Sequence, residues 1–215
     1  MRSSAIFQSA SSDSMFKMEV YIIENDILQS CTYILSKDGE AGVYLVDCGN
    51  SAPIISYLEH NDEFVKGVFL THAHYDHIYG LNDIIERYPD LDVYASEKTF
   101  VGLEDSDLNM SYLYTDDDFE LRVNKEHSII VSDKSKTAIF GEIVDCIATP
   151  GHDVDCISYL IGISLFTGDS YNPNSPVFTK WRNSDADLAI KNEAMLSRLI
   201  VEKGLSVYPG HNIKA

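Results

Sequence analysis

A chain of 215 residues can bury one sizeable core and is short for two, and 45% hydrophobic residues is ordinary for a globular domain. A net charge of −18, from 34 acidic against 16 basic side chains, argues against partners that carry a phosphate backbone or an anionic lipid surface. No apolar run approaches the roughly 18 residues of a membrane helix, and "MRSSAIFQSASSDS" lacks the apolar stretch of a secretory signal.

Residues 1–17 read as a serine-rich disordered tail ahead of a single domain over 18–215. Strand-like runs follow in "MEVYII" (18–23), "CTYILS" (31–36) and "VYLVDCG" (43–49), each β-branched or aromatic and bounded by turn residues. They are expected to pair as consecutive antiparallel strands. A helix is expected over 52–60, then a buried-type strand "VKGVFLT" (65–71) that ends at a histidine cluster. Beyond the cluster Ile78, Leu81, Ile85 and Tyr88 recur with helical spacing until Pro89 stops them. The acidic run 116–118 reads as a solvated loop.

The second half repeats the theme, with strands expected near 127–131, 137–148, 156–161 and 163–167. A last helix is expected with Ser184 as its cap and Asp187 as the reciprocal partner. Leu188, Met195, Leu196, Leu199 and Lys203 would share one side, and Gly204 would close it. A short strand "LSVYPG" (205–210) ends at His211. Strands then helices, twice over, predict an α/β or α+β domain, and suggest two sheets face to face with helices outside.

Five of the seven histidines fall at strand ends: His72, His74 and His77 in "THAHYDH", His152 in "TPGHD" and His211 in "YPGH". Pro-Gly-His thus occurs twice after a strand-like run, where Pro and Gly turn the chain sharply and present an imidazole at the sheet rim. Asp169 in "LFTGDS" and Asp47 in "YLVDCGN" end strands in the same way. Singly, each is an ordinary turn or cap residue. Jointly they supply imidazole nitrogen and carboxylate oxygen, the donors that zinc and similar divalent ions take. The set divides into His72, His74 and His152 for one ion and Asp76, His77 and His211 for a second, with Asp169 able to bridge both.

"THAHYDH" followed in order by "TPGH", "FTGDS" and "PGH" resembles the metallo-β-lactamase-fold hydrolases, and among them the glyoxalase II-like branch, over about residues 18–211. "EDSDLNMS" (104–111) is similar to a family segment that carries Asn-x-Ser at the active-site rim. The resemblance implies a four-layer αββα sandwich of two mixed sheets. It implies two divalent ions, zinc first with iron or manganese as alternatives, and a metal-bridging hydroxide that attacks a small thioester, ester or lactone. Asp76 would orient that hydroxide as well as bind metal, and Asp47 and Thr71 would stand behind the ligands. Tyr171, Asn172, Phe178 and Trp181 in "SYNPNSPVFTKW" (170–181) are the expected substrate contacts.

Two other readings fit the same motif: a mononuclear iron persulfide dioxygenase using His72, His152 and Asp169, and a metal-binding member without catalysis. An Asp at 169 rather than Cys, and a His at 74 rather than Glu, set the chain apart from many β-lactamases and from flavodiiron reductases respectively. It departs from the family where T-P-G-H-T-x-G-S becomes "TPGHDVDCIS", with Asp153, Asp155 and Cys156 at the changed positions, and where Asn212 follows the final Gly-His. Hydroxyacylglutathione hydrolases carry a further helical domain beyond this point, so hydroxyacylglutathione is not the expected substrate. Cys31, Cys48, Cys146 and Cys156 show no C-x-x-C spacing and read as reduced thiols of a cytoplasmic protein. A small-molecule substrate, with no nucleic-acid or membrane partner, is expected; oligomeric state is left open.

Overall fold

The computed structural model describes residues 18–115 and 119–212, so the expected N-terminal tail and the acidic run 116–118 lie outside the described residues. Strands β1 (Met18–Glu24), β2 (Cys31–Lys37) and β3 (Val43–Val46) form an antiparallel meander, as their spacing predicts. Helix α1 (Ser51–Asn61), capped by Asn50 through the Ala52 N–H, crosses to β4 (Val65–Phe69), which lies parallel to β3. Helix α2 (Leu81–Arg87), β5 (Asp92–Ala95), α3 (Glu97–Leu103), the single turn α4 (Ser106–Asn109) and β6 (Ser128–Ile130) complete the first half. The first sheet runs β1-β2-β3-β4-β5-β6 and is parallel from β3 onward.

The second half holds β7 (Lys136–Ile139), β8 (Glu142–Ala148), β9 (Ile157–Ile161), β10 (Ser164–Gly168), α5 (Ala186–Lys203) and β11 (Ser206–Pro209). Its sheet runs β11-β10-β9-β8-β7, antiparallel except for β10 with β11.

Strand alternation sorts the apolar side chains into three layers. Ile34 and Leu45 leave the first sheet on the side where Ile54, Leu58, Leu81 and Ile84 of α1 and α2 cover them. Tyr33, Leu35, Val46 and Phe69 face the other way and meet Val144, Ile157, Tyr159, Ile161 and Phe166 of the second sheet. Leu160 and Leu165, on that sheet's far side, are covered by Leu196 of α5. The order is helix, sheet, sheet, helix, as expected.

Several local readings need correction. The single run expected over 137–148 is two strands, because Phe140 (φ 53°) and Gly141 (φ 77°) both take left-handed backbone and form a two-residue hairpin turn. The helix after the histidine cluster begins at Leu81; Ile78 closes a 3₁₀ turn, Tyr75–His77. Asp185, not Ser184, caps α5, its carboxylate accepting the Leu188 N–H. Ser184 instead donates to the His152 carbonyl. The buried residues of α5 are Ala189 and Leu196, with Met195 and Ile200 half-buried beside them, whereas Leu188 is exposed. The elements β5, α3 and α4 carry no sequence expectation; β5 and α4, of four residues each, are too short to show a period. No helix among the described residues is long and apolar enough to cross a membrane.

Candidate metal centre

Every candidate residue follows the C-terminal end of a strand: Asp47 after β3, His72 to His77 after β4, His152 after β8, Asp169 after β10 and His211 after β11. The two sheets are packed so that these five ends share one rim. The two Pro-Gly-His turns work for different reasons. Gly151 has φ 148°, and a Cβ there would lie 2.4 Å from the Ala189 backbone nitrogen of α5. At Gly210 the constraint is space, since a Cβ would lie 2.1 Å from Asp169 Oδ1.

Three groups of donor atoms lie within 4.8 Å of one another: His72, His74 and His152; His72, His77 and Asp169; and Asp76, His77 and His211. His74 Nδ1 and His152 Nε2 are 3.0 Å apart, and His77 Nε2 and His211 Nε2 are 3.3 Å apart. Asp76 Oδ2 lies 3.4 Å from both His77 Nε2 and His211 Nε2. Asp169 reaches across the two sets, its Oδ2 3.3 Å from His152 Nε2 and 3.2 Å from His211 Nε2. All seven residues predicted as ligands are therefore gathered in one place.

The other nitrogen of each imidazole is tied back into the protein. His72 Nδ1 meets Thr71 Oγ1 at 3.0 Å, and His152 Nδ1 donates to the Phe178 carbonyl at 2.8 Å. His211 Nδ1 donates to the Leu28 carbonyl at 3.0 Å. His77 Nδ1 meets Asp47 Oδ2 at 2.9 Å, and His74 Nε2 meets Asp153 Oδ2 at 3.2 Å. An imidazole held this way presents a lone pair at its free nitrogen. Asp47 also accepts the Thr71 N–H and hydroxyl, from a backbone with φ 57° that is uncommon for a residue with a side chain.

Burial and neighbouring charge pull the groups of the centre in opposite directions. Burial, helped by neighbouring imidazoles, pushes His72 well below its ordinary pKa. Burial also lowers His152, against the pull of Asp169. Burial works the same way on His77, but the charges of Asp76 and Asp169 and the bond to Asp47 outweigh it and raise His77 to about 10. His211 is raised by Asp169 against its burial. Asp169 is held well below the carboxylate range, because His152, His211 and His77 overcome its burial. Among the few buried side-chain atoms with no hydrogen-bond partner are His72 Nε2, Asp76 Oδ2 and Asp169 Oδ1. Buried polar atoms normally find partners. Three orphans within one His/Asp cluster suit a bound divalent cation.

The four predicted substrate contacts separate. Phe178 and Trp181 pack on each other at 5.3 Å, and Trp181 stands 6.3 Å from the His74 ring. Asn172 donates to the His211 carbonyl, and Tyr171 packs against the apolar cluster under α5. Tyr114, not predicted, stacks on Tyr75 at 5.6 Å, and partial burial together with the Asp76 charge raises its phenol. Its signal was hidden because nothing local to "YLYT" marks proximity to residue 76. Of the Asn-x-Ser segment, Asn109 and Ser111 are fully buried, the Asn109 side chain accepting the Ser111 N–H. His60 is exposed at the end of α1, and His127 is bonded to Asp92.

Comparisons with known proteins agree with this geometry. The family model described as "Metallo-beta-lactamase superfamily" matches residues 25–211. A hydroxyacylglutathione hydrolase of Erwinia tasmaniensis is 29% identical over 139 residues, 64% of this chain and 46% of that protein. The chain thus spans about half the length of this relative in the aligned region. Among solved structures, the BLEG-1 B3 metallo-beta-lactamase is 25% identical with a TM-score of 0.77, over 93% of this chain and 92% of that one. TTHA1623, solved in a di-iron-bound form, shares the fold at a TM-score of 0.72 and 22% identity, over 90% and 93% of the two chains. ETHE1 from Myxococcus xanthus does so at 0.68 and 22%, over 92% and 77%. The match to the hydroxyacylglutathione hydrolase supports the glyoxalase II-like branch, and the family model, which spans all five strand-end motifs, shows that the chain belongs to the metallo-beta-lactamase superfamily.

Proposed function

We propose that this chain is a dinuclear metal-dependent hydrolase of a small thioester, ester or lactone. One observation carries the reading: five imidazoles each tied back through one nitrogen, their free donors converging with Asp76 and on Asp169. His72, His74 and His152 would hold one ion and Asp76, His77 and His211 the other, with Asp169 between them. Zinc is the first expectation, and iron or manganese suit the same donors. Bound ions would supply an acidified water as nucleophile and positive charge for the carbonyl oxygen.

The chain's own residues do the rest. Asp76, whose buried Oδ2 has no hydrogen-bond partner, would orient the attacking hydroxide as well as bind metal. Asp47 and Thr71 hold His77 and His72 in position from behind. Phe178 and Trp181 would form an apolar wall beside His74 and His152, with Asn172 bracing the His211 loop. A reducing, cytoplasmic setting is proposed with it, since all four cysteines are free and buried. The test is metal analysis of protein purified without chelator, together with a panel of thioesters, esters and lactones. About two ions per chain and turnover of one class are expected. Protein without metal, or a single iron with oxygen uptake on a persulfide, would overturn it.

A further inference from the structure

The stretch after His152 departs from the family pattern, and the structure gives the departure a task. Two oxygens of Asp153 and Asp155 grip the segment that holds His72 and His74. Asp153 Oδ2 lies 3.2 Å from His74 Nε2, and Asp155 Oδ2 accepts the Ala73 N–H at 3.0 Å. Both carboxylates are buried, at 5% and 6% exposure, so neither is an incidental surface contact. The His74 nitrogen that faces His152 is Nδ1. For Nδ1 to offer a lone pair, Nε2 must carry the proton, and the Asp153 carboxylate is its acceptor. The other donor set has the same device, where Asp47 receives His77 Nδ1–H.

We infer that Asp153 is a positioning residue for metal binding, fixing the ring and tautomer of His74 as Asp47 does for His77, while Asp155 anchors the backbone between His72 and His74. The inference rests on the dinuclear reading above. Each donor set then has one carboxylate-backed imidazole, and the remaining three rings lean on a hydroxyl or a backbone carbonyl. A carboxylate accepts a stronger hydrogen bond than a hydroxyl does and makes the imidazole a better donor. Asp153 differs from Asp47 in one respect that makes it testable. A cavity of about 280 Å³, lined by Ala73, His74, Gly102, Asp153 and Asp155 among others, opens beside it. A small carboxylate from solution can therefore reach the place of a deleted side chain.

The experiment is zinc binding to the full chain, measured by competition with a chromogenic chelator, for wild type, Asp153→Ala and Asp153→Asn. Both variants are expected to lose roughly 10–100-fold in affinity for one of the two ions and to keep the other. Formate should restore zinc affinity to Asp153→Ala in a saturable manner and leave the wild type unchanged. A structural role alone would not respond to formate. Wild-type affinity in both variants, or an Asp153→Ala deficit that formate does not touch, would overturn the assignment. If Asp153→Ala does not fold, Asp153→Asn, of the same size, decides it: wild-type zinc affinity there overturns the role. A wild-type chain that binds no zinc overturns the dinuclear reading itself, which separates the two failures.

Discussion

Asp169 shows how much one side chain can be asked to do. Its two oxygens lie within 3.5 Å of three histidines from three different loops. Asp169→Ala and His72→Ala are therefore expected to abolish turnover and to lower bound metal. His60→Ala and His127→Ala, outside the cluster, should change neither. Metal content by plasma mass spectrometry checks this, and a His127→Ala protein as depleted as His72→Ala would break the ligand assignment. His77 gives a pH prediction. Raised to about 10, its ring carries a second proton, on Nε2, in the metal-free state at neutral pH, and a metal-bound imidazole must give that proton up while keeping Nδ1–H. Zinc binding should expel that proton, so zinc affinity should climb as pH rises toward 10. Calorimetric titration in two buffers of unlike ionisation enthalpy reads the proton directly, and equal heats in both would contradict it.

Helix α5 and the loop before it separate two roles that lie one residue apart. Asp185 caps the helix and Ser184 holds the His152 carbonyl. Asp185→Ala should cost about 1 kcal/mol in denaturant unfolding, a normal loss for a missing cap. Ser184→Ala should leave the helix intact and weaken zinc binding instead. The sequence motif that suggested Ser184 as cap was sound in type and displaced by one position, because Asp185 and Ser184 are both good capping residues. The hairpin at Phe140 and Gly141 was unreadable for a similar reason: a bulky Phe with positive φ is uncommon, so "AIFGEI" reads as one continuous strand. At Leu196, the fully buried residue of α5 packed against Leu160 and Leu165, truncation to Ala should cost about 2–5 kcal/mol.

Across the whole molecule, the two sheets meet through a largely apolar cluster and leave their polar ends together at one rim. The rim joins loops from both halves: His72 to His77 from the first, His152, Asp169 and His211 from the second. Metal bound there ties the halves together, so it should stabilise the folded state by its binding free energy. Removal of metal by chelator is expected to lower the thermal midpoint, and restoring zinc should return it; an unchanged midpoint would argue against an ion shared between the halves.

The sequence by itself determined the candidate ligand set. Histidines and acids at strand ends, set off by Pro-Gly turns, could be read off one chain because short-range turn geometry and ligand type are local properties. It also determined the sandwich, through strand and helix periodicity together with the family resemblance. Asp47 and Thr71 were expected behind the ligands, but the tertiary structure alone decided which oxygens stand behind the other three imidazoles, since those partners come from distant segments: Leu28 for His211, Phe178 for His152, Asp153 for His74. It also packs Tyr171 against the apolar cluster under α5 and brings Tyr114 toward Asp76. The reason is physical. Spacing along the chain encodes which face a side chain takes, but only the packing of one sheet on the other sets what that side chain meets.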